Sequence, residues 1–495
     1  MNKYLAAISS NLVFFGFNTI FFLLITPLAI KVMGDELYGL WAILNAIFLF
    51  SSIGTLGMSI VVNKFASEQG PGALDTGAIV SAATLILIPM ATIVALILVV
   101  LRGWIATQIQ TSAVYQAQFE QALSIIALSL YPQFLAKIPQ GYLLSQLRNN
   151  LMRLVETFTT VAFWTGSVLI AFFSKNLVWI ALWALIVHSL SGLVYFIILA
   201  RSNVLHWRLD KLTLSRMVHF SGFSFIESLS IALYQLVDRI IVGFTLGPAA
   251  AGVYSVATSV GLRISMVTGQ VSDVMVPYAS LKGSLQEYPA LLSAYRLLSR
   301  FFSLFIALIS SLLILWMSEI LALWISAEYA QAHAQFFSLM ILAYSVISLA
   351  RPGQQTLDGL GKIHISALVY LASSLSMLVG VYFLSLRLGL TGAALANLFM
   401  VGLLSLNAIA YRVLSGSSRS KVLFADIGLG LLLPGMAYLI ISITGNWPAR
   451  LLITILVLGL IGYLGLQDKR IFSQLSQFFN RASNRAFPNR NKEVG

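Results

Sequence analysis

The chain has 495 residues, of which 59% are hydrophobic and only 9% are charged, and its formal net charge at pH 7 is +13. A water-soluble core could not absorb so much apolar sequence, so this composition excludes a soluble globular protein and indicates a polytopic membrane protein. The chain contains no cysteine, which excludes disulfide bonds, thiolate metal sites and cysteine catalysis.

Long apolar runs predict an all-α fold with fourteen membrane-spanning helices. A run of about 20 apolar residues crosses a hydrocarbon core of about 30 Å as a helix. The first run has no small-residue cleavage site, so it is predicted to be a retained helix. The predicted spans, numbered 1 to 14, cover residues 10–30, 38–62, 78–101, 119–146, 152–174, 177–200, 218–245, 251–276, 290–316, 332–360, 364–386, 390–413, 422–444 and 449–466.

Positive charge is distributed unequally between the two sides of the predicted membrane. Most lysines and arginines lie at the termini or after even-numbered spans. By the positive-inside rule, both termini are therefore predicted to be cytoplasmic. The positive net charge then faces an anionic lipid leaflet and requires no nucleic-acid partner. The few cations of the opposite side are Lys31, Arg102, Lys175, Arg387 and Arg450.

A repeat runs through the chain at an offset of 213 residues. The offset carries span 1 onto span 7, which is an even number of crossings, so the two copies have the same orientation. Such parallel copies are predicted to be related by an axis along the membrane normal and to enclose a central space. The matching positions are Gly34 and Gly247, Gly39 and Gly252, 65–67 and 278–280, and Pro139 and Pro352.

The repeat and the topology together predict the domain organisation. Two pseudo-symmetric lobes of six helices are joined by a linker with leucines at helical spacing, for which we predict an amphipathic helix over Ser202–Arg216. The predicted divisions are an N-lobe at 1–200, a cytoplasmic amphipathic linker at 201–216, a C-lobe at 217–413, spans 13 and 14 at 414–467, and a basic cytoplasmic tail at 468–495.

Two signatures lie at corresponding places in the copies: G-x4-G-L-W after span 1, and D-R-I-I-V-G-x-x-L-G-x4-G-V-Y across spans 7 and 8. In a chain of fourteen spans they resemble the polysaccharide flippases of the multidrug/oligosaccharidyl-lipid/polysaccharide exporter superfamily, above all the Wzx-like flippases of O-antigen and capsule units. The resemblance covers residues 10–413. It implies a V-shaped, two-lobed cavity that carries an undecaprenyl-diphosphate-linked oligosaccharide to the outer leaflet of the bacterial inner membrane. The partners expected are membrane lipids and polysaccharide assembly proteins.

Two cations are predicted to lie near the middle of the bilayer. Lys137 in span 4 and Arg351 in span 10 each precede the cytoplasmic end of the span, marked by Arg148 and Lys362, by eleven residues, which is about 16 Å of helix. An ionised group at that depth costs at least about 2.5 kcal/mol, so it should face a wet cavity or a partner. We predict that the pair binds the diphosphate of the substrate. The alternative, that each cation pairs with a buried carboxylate, stays open.

Further polar residues of spans 4, 7, 8 and 10 complete the predicted site. Glu227 and Asp238 share one helical face by spacing, and a carboxylate desolvated at depth is suited to coupling with H+ or Na+. The alternative for each of these residues is a salt bridge that fixes helix packing. The predicted substrate-binding residues are Lys137, Arg263, Arg351, Gln270, Gln354, Tyr131, Tyr142 and Tyr234. The residues predicted for ion coupling or charge pairing are Glu227, Asp238, Asp273 and Asp358.

No cofactor is predicted. The five histidines show no metal-ligand spacing, and no G-x4-G-K-[ST] motif for nucleotide binding is present.

Three functions remain open at this stage. The first is a flippase for a lipid-linked oligosaccharide, because the diphosphate needs cations at depth. The second is a cation-coupled multidrug exporter of the same superfamily, which the intramembrane acids would suit. The third, a membrane oligosaccharide polymerase or ligase, is disfavoured because such chemistry usually needs a sizeable outer loop. A transporter that is not an enzyme is therefore the prediction.

Overall fold

The computed structural model describes residues 3–68, 74–146, 148–202, 204, 206–208, 210–272, 275–416, 421–444 and 447–467. These residues form helices and no strand, which confirms the predicted all-α class. The predicted tail at 468–495 lies outside the described residues. The α-helices are α1 Lys3–Ser51, α2 Met58–Ser67, α3 Thr76–Gln108, α4 Ala113–Leu135, α5 Lys137–Ser145, α6 Asn149–Ser174, α7 Leu177–Ala200, α8 Lys211–Ala232, α9 Asp238–Leu246, α10 Pro248–Ser272, α11 Met275–Ser284, α12 Tyr288–Leu315, α13 Met317–Trp324, α14 Ala327–Gly359, α15 Ile363–Asn397, α16 Ser405–Ser415, α17 Lys421–Thr444 and α18 Trp447–Gln467.

Eleven stretches of the described residues are long and apolar enough to cross a membrane. Two of them, Val13–Ser67 and Ile363–Ser415, have 55 and 53 residues, which is about 80 Å of helix and far more than one crossing requires. Each contains a glycine with a positive φ that interrupts the helix, Gly34 at 74° and Gly389 at 62°. Residues 211–246 are not among the eleven stretches, and the number fourteen stays a prediction.

The chain divides into two compact units, Met1–Ser255 and Val256–Gly495. In the first unit, α4 packs against both α3 and α7, α1 packs against α6 and α9, and α2 packs against α5. This unit includes span 7 and the beginning of span 8. The division follows contacts, whereas the predicted lobes follow the sequence repeat, so the lobe boundaries stay a prediction.

Span 7 is interrupted by a π-helical segment. Leu233–Val237 separates α8 from α9, immediately before Asp238. A π turn accommodates one residue more than an α turn, so it rotates α9 by about 100° relative to the continuation of a regular helix. The spacing that predicts a shared face for Glu227 and Asp238 assumed an unbroken α-helical period, which the backbone does not keep between them. The shared face stays a prediction.

In the second unit, α14 forms the centre and packs against α11, α12, α13, α15 and α17. The last two helices attach to this unit through polar contacts. Arg300 of α12 pairs with Asp426 of α17, and Arg450 of α18 donates to Glu319 Oε1 of α13 at 2.6 Å. Trp316 Nε1 also donates to Thr454 Oγ1 at 3.1 Å. Spans 13 and 14 are thus packed against α12 and α13 within one unit.

The linker differs from its prediction. Residues 206–208 and Asp210 have no helical structure, and α8 begins only at Lys211. The predicted helix over Ser202–Arg216 is therefore wrong for the described residues before Lys211. The physical reason is an N-cap, because Asp210 accepts hydrogen bonds from Thr213 Oγ1 at 2.6 Å, Thr213 N at 3.0 Å and Leu212 N at 3.2 Å. These hydrogen bonds, led by that of the Thr213 hydroxyl, lower the pKa of the Asp210 carboxyl below its usual value.

This cap predicts a pH dependence at the start of α8. The folded-state pKa of Asp210 is lowered, so the ionised cap stabilises the start of α8 fully above the ordinary carboxyl pKa of about 4. This stabilisation is lost as pH falls through the lowered pKa. Amide hydrogen exchange of residues 211–216 should therefore show protection at pH 7 that decreases at pH 3, after correction for intrinsic rates.

Two variants separate the cap from its charge. Asp210→Asn should keep most of the protection and lose its pH dependence, because asparagine is also a good N-cap. Asp210→Ala should lose protection at both pH values. Wild-type protection in Asp210→Ala at pH 7 would contradict the role of the cap.

Candidate functional site

The matched glycines of the repeat adopt the same unusual backbone conformation. Gly34 has φ 74° and ψ 167°, and Gly247 has φ 86° and ψ 175°. This region of φ and ψ is essentially restricted to glycine. Gly34 interrupts α1, and Gly247 separates α9 from α10. The offset of 213 residues therefore corresponds to a repeated feature of the backbone.

The second glycine of each pair lies at a close contact within the first unit. A Cβ on Gly39 would lie 1.7 Å from the carbonyl oxygen of Pro248. A Cβ on Gly252 would lie 3.1 Å from Tyr38 Cδ1 and 3.2 Å from Gly39 Cα. Only residues without side chains permit α1 and α10 to approach this closely. The two signature motifs thus contact each other through their matched glycines.

Asp238 is buried beside this contact. Its side chain is fully inaccessible to solvent, and Oδ2 accepts a hydrogen bond from Tyr254 Oη at 2.8 Å. Oδ1 accepts one from the main-chain N–H of Arg239 at 2.8 Å, and the buried Arg239 side chain interacts electrostatically with Asp238 and with Tyr38. A carboxylate at this depth has its lone pairs occupied by protein donors, as burial requires. Sequence analysis did not single out Tyr254 as its partner.

Lys137 lies at a break in span 4. Helix α4 ends at Leu135 and α5 begins at Lys137, because the ring of Pro139 cannot donate to the carbonyl of Leu135 and clashes with it. Lys137 Nζ donates to Gln140 Oε1 at 3.1 Å. It also lies close enough to Glu156 and His188 for electrostatic interaction, although Glu156 forms its salt bridge with Arg153, at 3.0 Å.

Arg351 in the second unit makes the same kind of contact. Its Nη1 donates to Gln354 Oε1 at 3.1 Å, and Gln354 also accepts from Tyr370 Oη at 2.7 Å. Lys137 and Arg351 thus each bind a glutamine three residues further along the chain, one helical turn away. A carboxamide oxygen satisfies one donor of each cation without adding negative charge. The spacing of Gln140 from Lys137 was readable in the sequence.

The other predicted residues are distributed over both units. Arg263 Nη1 donates to the carbonyl of Ser259 at 3.0 Å, within its own helix. Tyr131 donates to Thr92 Oγ1 at 3.0 Å on α3, and the hydroxyl of the buried Tyr234 accepts from Gln235 Nε2 at 2.9 Å. Tyr142 and Asp358 are half-buried in α5 and α14. Asp273 and the side chains of Glu227 and Gln270 lie outside the described residues.

An apolar cavity lies at the α4–α5 break. Its volume is about 350 Å³. Its lining comes from α3, α7 and the break itself, where Leu135, Ile138 and Pro139 contribute. Leu193 and Phe196 of α7 also line it and are 52% and 56% exposed, so it opens towards the surface that faces hydrocarbon. Span 4 therefore carries a polar face with Lys137 and an apolar face at the cavity.

Comparison with known proteins gives a consistent picture. Residues 5–281 match a family model described as polysaccharide biosynthesis protein. A solved structure of the lipid II flippase MurJ, in an inward closed conformation, is 15% identical with a TM-score of 0.69 and covers 92% of this chain and 99% of its own. An inward-facing multidrug resistance MATE family transporter of the MOP superfamily is 10% identical with a TM-score of 0.64, covering 86% and 95%. No curated protein sequence matches the chain. At these identities the structural likeness shows the fold alone.

The contact at Gly39 predicts the effect of a single methyl group. Gly39→Ala should push α1 away from α10, because backbone atoms of Pro248 cannot yield as a flexible side chain would; overpacking of this kind costs about 1–3 kcal/mol. The chain has no cysteine, so a cysteine replacing the buried Ala251 is a unique probe. Maleimide labelling of the purified Ala251→Cys protein should become several-fold faster when Gly39→Ala is added.

Gly16→Ala is the matched control, since Gly16 lies in the same helix and a Cβ there meets nothing within 4 Å. It should leave the labelling rate unchanged. Equal rates for the Gly39→Ala protein and its parent would contradict the contact.

The Asp238–Tyr254 hydrogen bond predicts a second measurable loss. Tyr254→Phe removes a donor to a buried carboxylate and should lower the free energy of unfolding by about 1.5–3 kcal/mol. In the Asp238→Asn background, Tyr254→Phe should lower the free energy of unfolding by less, because the acceptor is no longer ionised. Tyr131→Phe, which removes a hydrogen bond at an exposed position, serves as the control and should cost less than about 1 kcal/mol. Equal costs of Tyr254→Phe in both backgrounds would show that the pair is not coupled.

Proposed function

Since the chain belongs to the polysaccharide biosynthesis protein family, we propose that it is a flippase for an undecaprenyl-diphosphate-linked oligosaccharide. The substrate would be a repeat unit of O-antigen, capsule or exopolysaccharide, moved from the cytoplasmic to the outer leaflet of the bacterial inner membrane. Both termini would be cytoplasmic. The MurJ-like fold supports this proposal, because the neighbour is described as a flippase for another lipid-linked substrate, lipid II.

The observation that carries the proposal is the matched pair of cation–glutamine contacts. Lys137 with Gln140 and Arg351 with Gln354 have the same spacing and the same length of 3.1 Å. A neutral amide orients a cation at depth without neutralising it. Diphosphate oxygens form charge-assisted hydrogen bonds with lysine and arginine. Arg263 is the third cation that we assign to the substrate, together with the tyrosines Tyr131, Tyr142 and Tyr234 and with Gln270.

The lipid part of the substrate is matched by the apolar cavity beside span 4. Ile138 and Pro139, the two residues that follow Lys137 in the chain, line this cavity. A lipid-linked sugar is an amphiphile with an anionic head and a hydrocarbon tail. The α4–α5 break therefore offers chemistry for both parts, with Lys137 for the head group and Leu135, Ile138 and Pro139 for the hydrocarbon tail.

For the transport cycle we propose alternating access by the two repeat copies, 1–200 and 217–413, with spans 13 and 14 outside the repeat. The glycine contact between residues 39 and 252 would open and close in this cycle. Coupling to H+ or Na+ would use Asp238 or Glu227, with Asp273 and Asp358 as further acids. Transport in proteoliposomes that is insensitive to both imposed ion gradients would exclude such coupling and leave transport driven by substrate supply.

One observation favours a second candidate, a cation-coupled multidrug exporter. The MATE neighbour shares the fold, and the buried Asp238 is an acid of the kind that binds organic cations or protons. The matched cation–glutamine contacts at Lys137 and Arg351 suit an anionic head group better than a cationic substrate. The flippase is therefore the function that the described residues support better, and no catalytic role is proposed.

The paired cations give the direct test. Lys137→Ala and Arg351→Ala should each weaken substrate binding by roughly tenfold to more than a hundredfold, because a hydrogen bond to a charged group contributes about 1.5–3 kcal/mol. Lys137→Arg and Arg351→Lys should keep substantial activity. The assay is complementation of surface-polysaccharide assembly, with the amount of protein in the membrane measured beside it.

Arg102→Ala is the matched control, since Arg102 forms an exposed salt bridge with Glu120 at 3.2 Å and such pairs contribute little. It should complement fully. If Lys137 were a structural partner of Glu156, Lys137→Ala would instead reduce the amount of protein, and Glu156→Gln should restore it. Well-expressed and fully active alanine variants at both positions would exclude the diphosphate role.

A further inference from the structure

The interior of the first unit contains polar atoms that its own side chains do not satisfy. Trp41 Nε1, Gln133 Oε1 and His188 Nε2 are buried, and none has a hydrogen-bond partner among the described residues. Trp41 is only 1% exposed. A buried polar atom without a partner costs about 1–3 kcal/mol, so each such atom requires an explanation, such as an ordered water or a bound ligand. The proposed contacts of Lys137 leave these three atoms unexplained.

A shared aromatic wall brings Trp41 and His188 together. Trp41 stacks on Phe163 with ring centroids 5.1 Å apart. His188 lies 5.7 Å from the same Phe163 ring and 4.7 Å from the ring of Phe48. The two rings are thus held by packing on either side of Phe163 and have little freedom to turn their nitrogens elsewhere. A rigid donor costs less entropy on binding than a flexible one.

Span 4 forms the other side of this interior. Gln133 lies near the end of α4, and Lys137 begins α5 directly after the break. His188 is close enough to Lys137 for electrostatic interaction. His188 therefore connects the ammonium group of Lys137 with the aromatic cluster of Phe163 and Trp41.

Three of these groups, the indole of Trp41, the imidazole of His188 and the ammonium group of Lys137, can donate to an anion, whereas Gln133 Oε1 accepts only and is not part of the subsite. The indole N–H can only donate, the ammonium group has donors left after its bond to Gln140, and the imidazole donates through whichever nitrogen carries the proton. A cation is disfavoured beside Lys137. Glu156, the nearby carboxylate, already forms a salt bridge with Arg153. Two neutral donors next to one ammonium group can surround phosphate oxygens without the repulsion that additional cations would introduce.

We propose that Trp41, His188 and Lys137 form a phosphate-binding subsite within the first unit. This inference rests on the proposed function, since it assigns to these residues one phosphate group of the lipid-linked diphosphate. Trp41 and His188 are donors to phosphate oxygens, and Phe163 positions both rings. Trp41 and Tyr254 occupy matched positions of the repeat. In the second copy the hydroxyl of Tyr254 donates to Asp238, so it is not available to a phosphate. The subsite is therefore a property of the first copy alone.

Inorganic pyrophosphate is the probe that tests the subsite without a lipid-linked sugar. Binding to the purified full-length protein in detergent is measured by calorimetry, and folding is checked by gel filtration and thermal unfolding. Trp41→Phe removes the N–H and keeps an aromatic ring on Phe163; it should weaken binding about tenfold or more. His188→Phe should do the same, and it serves as the second variant if Trp41→Phe fails to fold. Trp164→Phe is the matched control, because Trp164 also contacts Phe163, at 5.8 Å, and it should bind as the wild type does.

The outcomes separate the subsite from the function. Wild-type pyrophosphate binding in folded Trp41→Phe and His188→Phe would overturn the subsite, as would an equal loss in Trp164→Phe. Flipping of a lipid-linked oligosaccharide in proteoliposomes is measured on the same proteins. A wild-type protein that binds pyrophosphate through Trp41 and His188 but flips no such lipid would overturn the proposed function and leave the subsite standing.

Discussion

A charge inside a lipid bilayer must find its partners within the protein, and this constraint accounts for most of the polar contacts described above. Asp238 accepts from Tyr254, and Lys137 and Arg351 each donate to a glutamine one turn away. These contacts differ in their effect on charge. The acid is enclosed by donors, whereas each glutamine offers its cation a neutral oxygen.

The second constraint is the close approach of backbones at the matched glycines. Gly39 lies against Pro248, and Gly252 lies against Gly39. Without side chains, the two helix backbones approach closely and pack through many van der Waals contacts. The duplication therefore repeats more than a helix count, because matched glycines of the two copies contact each other. Tyr254 follows Gly252 by two residues and donates to Asp238. The buried acid is therefore held by the same helix, α10, that contacts α1 through the glycines.

Span 4 shows how a broken helix serves two kinds of chemistry. Pro139 interrupts it, so that Lys137 begins a new helix and Ile138 and Pro139 line an apolar cavity. Lys137 interacts electrostatically with His188, whose ring lies on Phe163 together with that of Trp41. An amphiphilic substrate needs these two environments close together.

Hydropathy, the 213-residue offset and the spacing of Lys137 and Arg351 from the ends of their spans can all be read along the chain. The sequence by itself therefore determined the all-helical membrane class and predicted the duplication and the candidate cations. Its failures have one cause: periodicity assumes regular helices. The π segment before Asp238 and the cap at Asp210 break that assumption. Only the tertiary structure decided that Tyr254 binds Asp238, that Gly39 meets Gly252, and that Trp41 and His188 share Phe163. Those partners are far apart in the chain, and spacing carries no information about which of many buried side chains will meet.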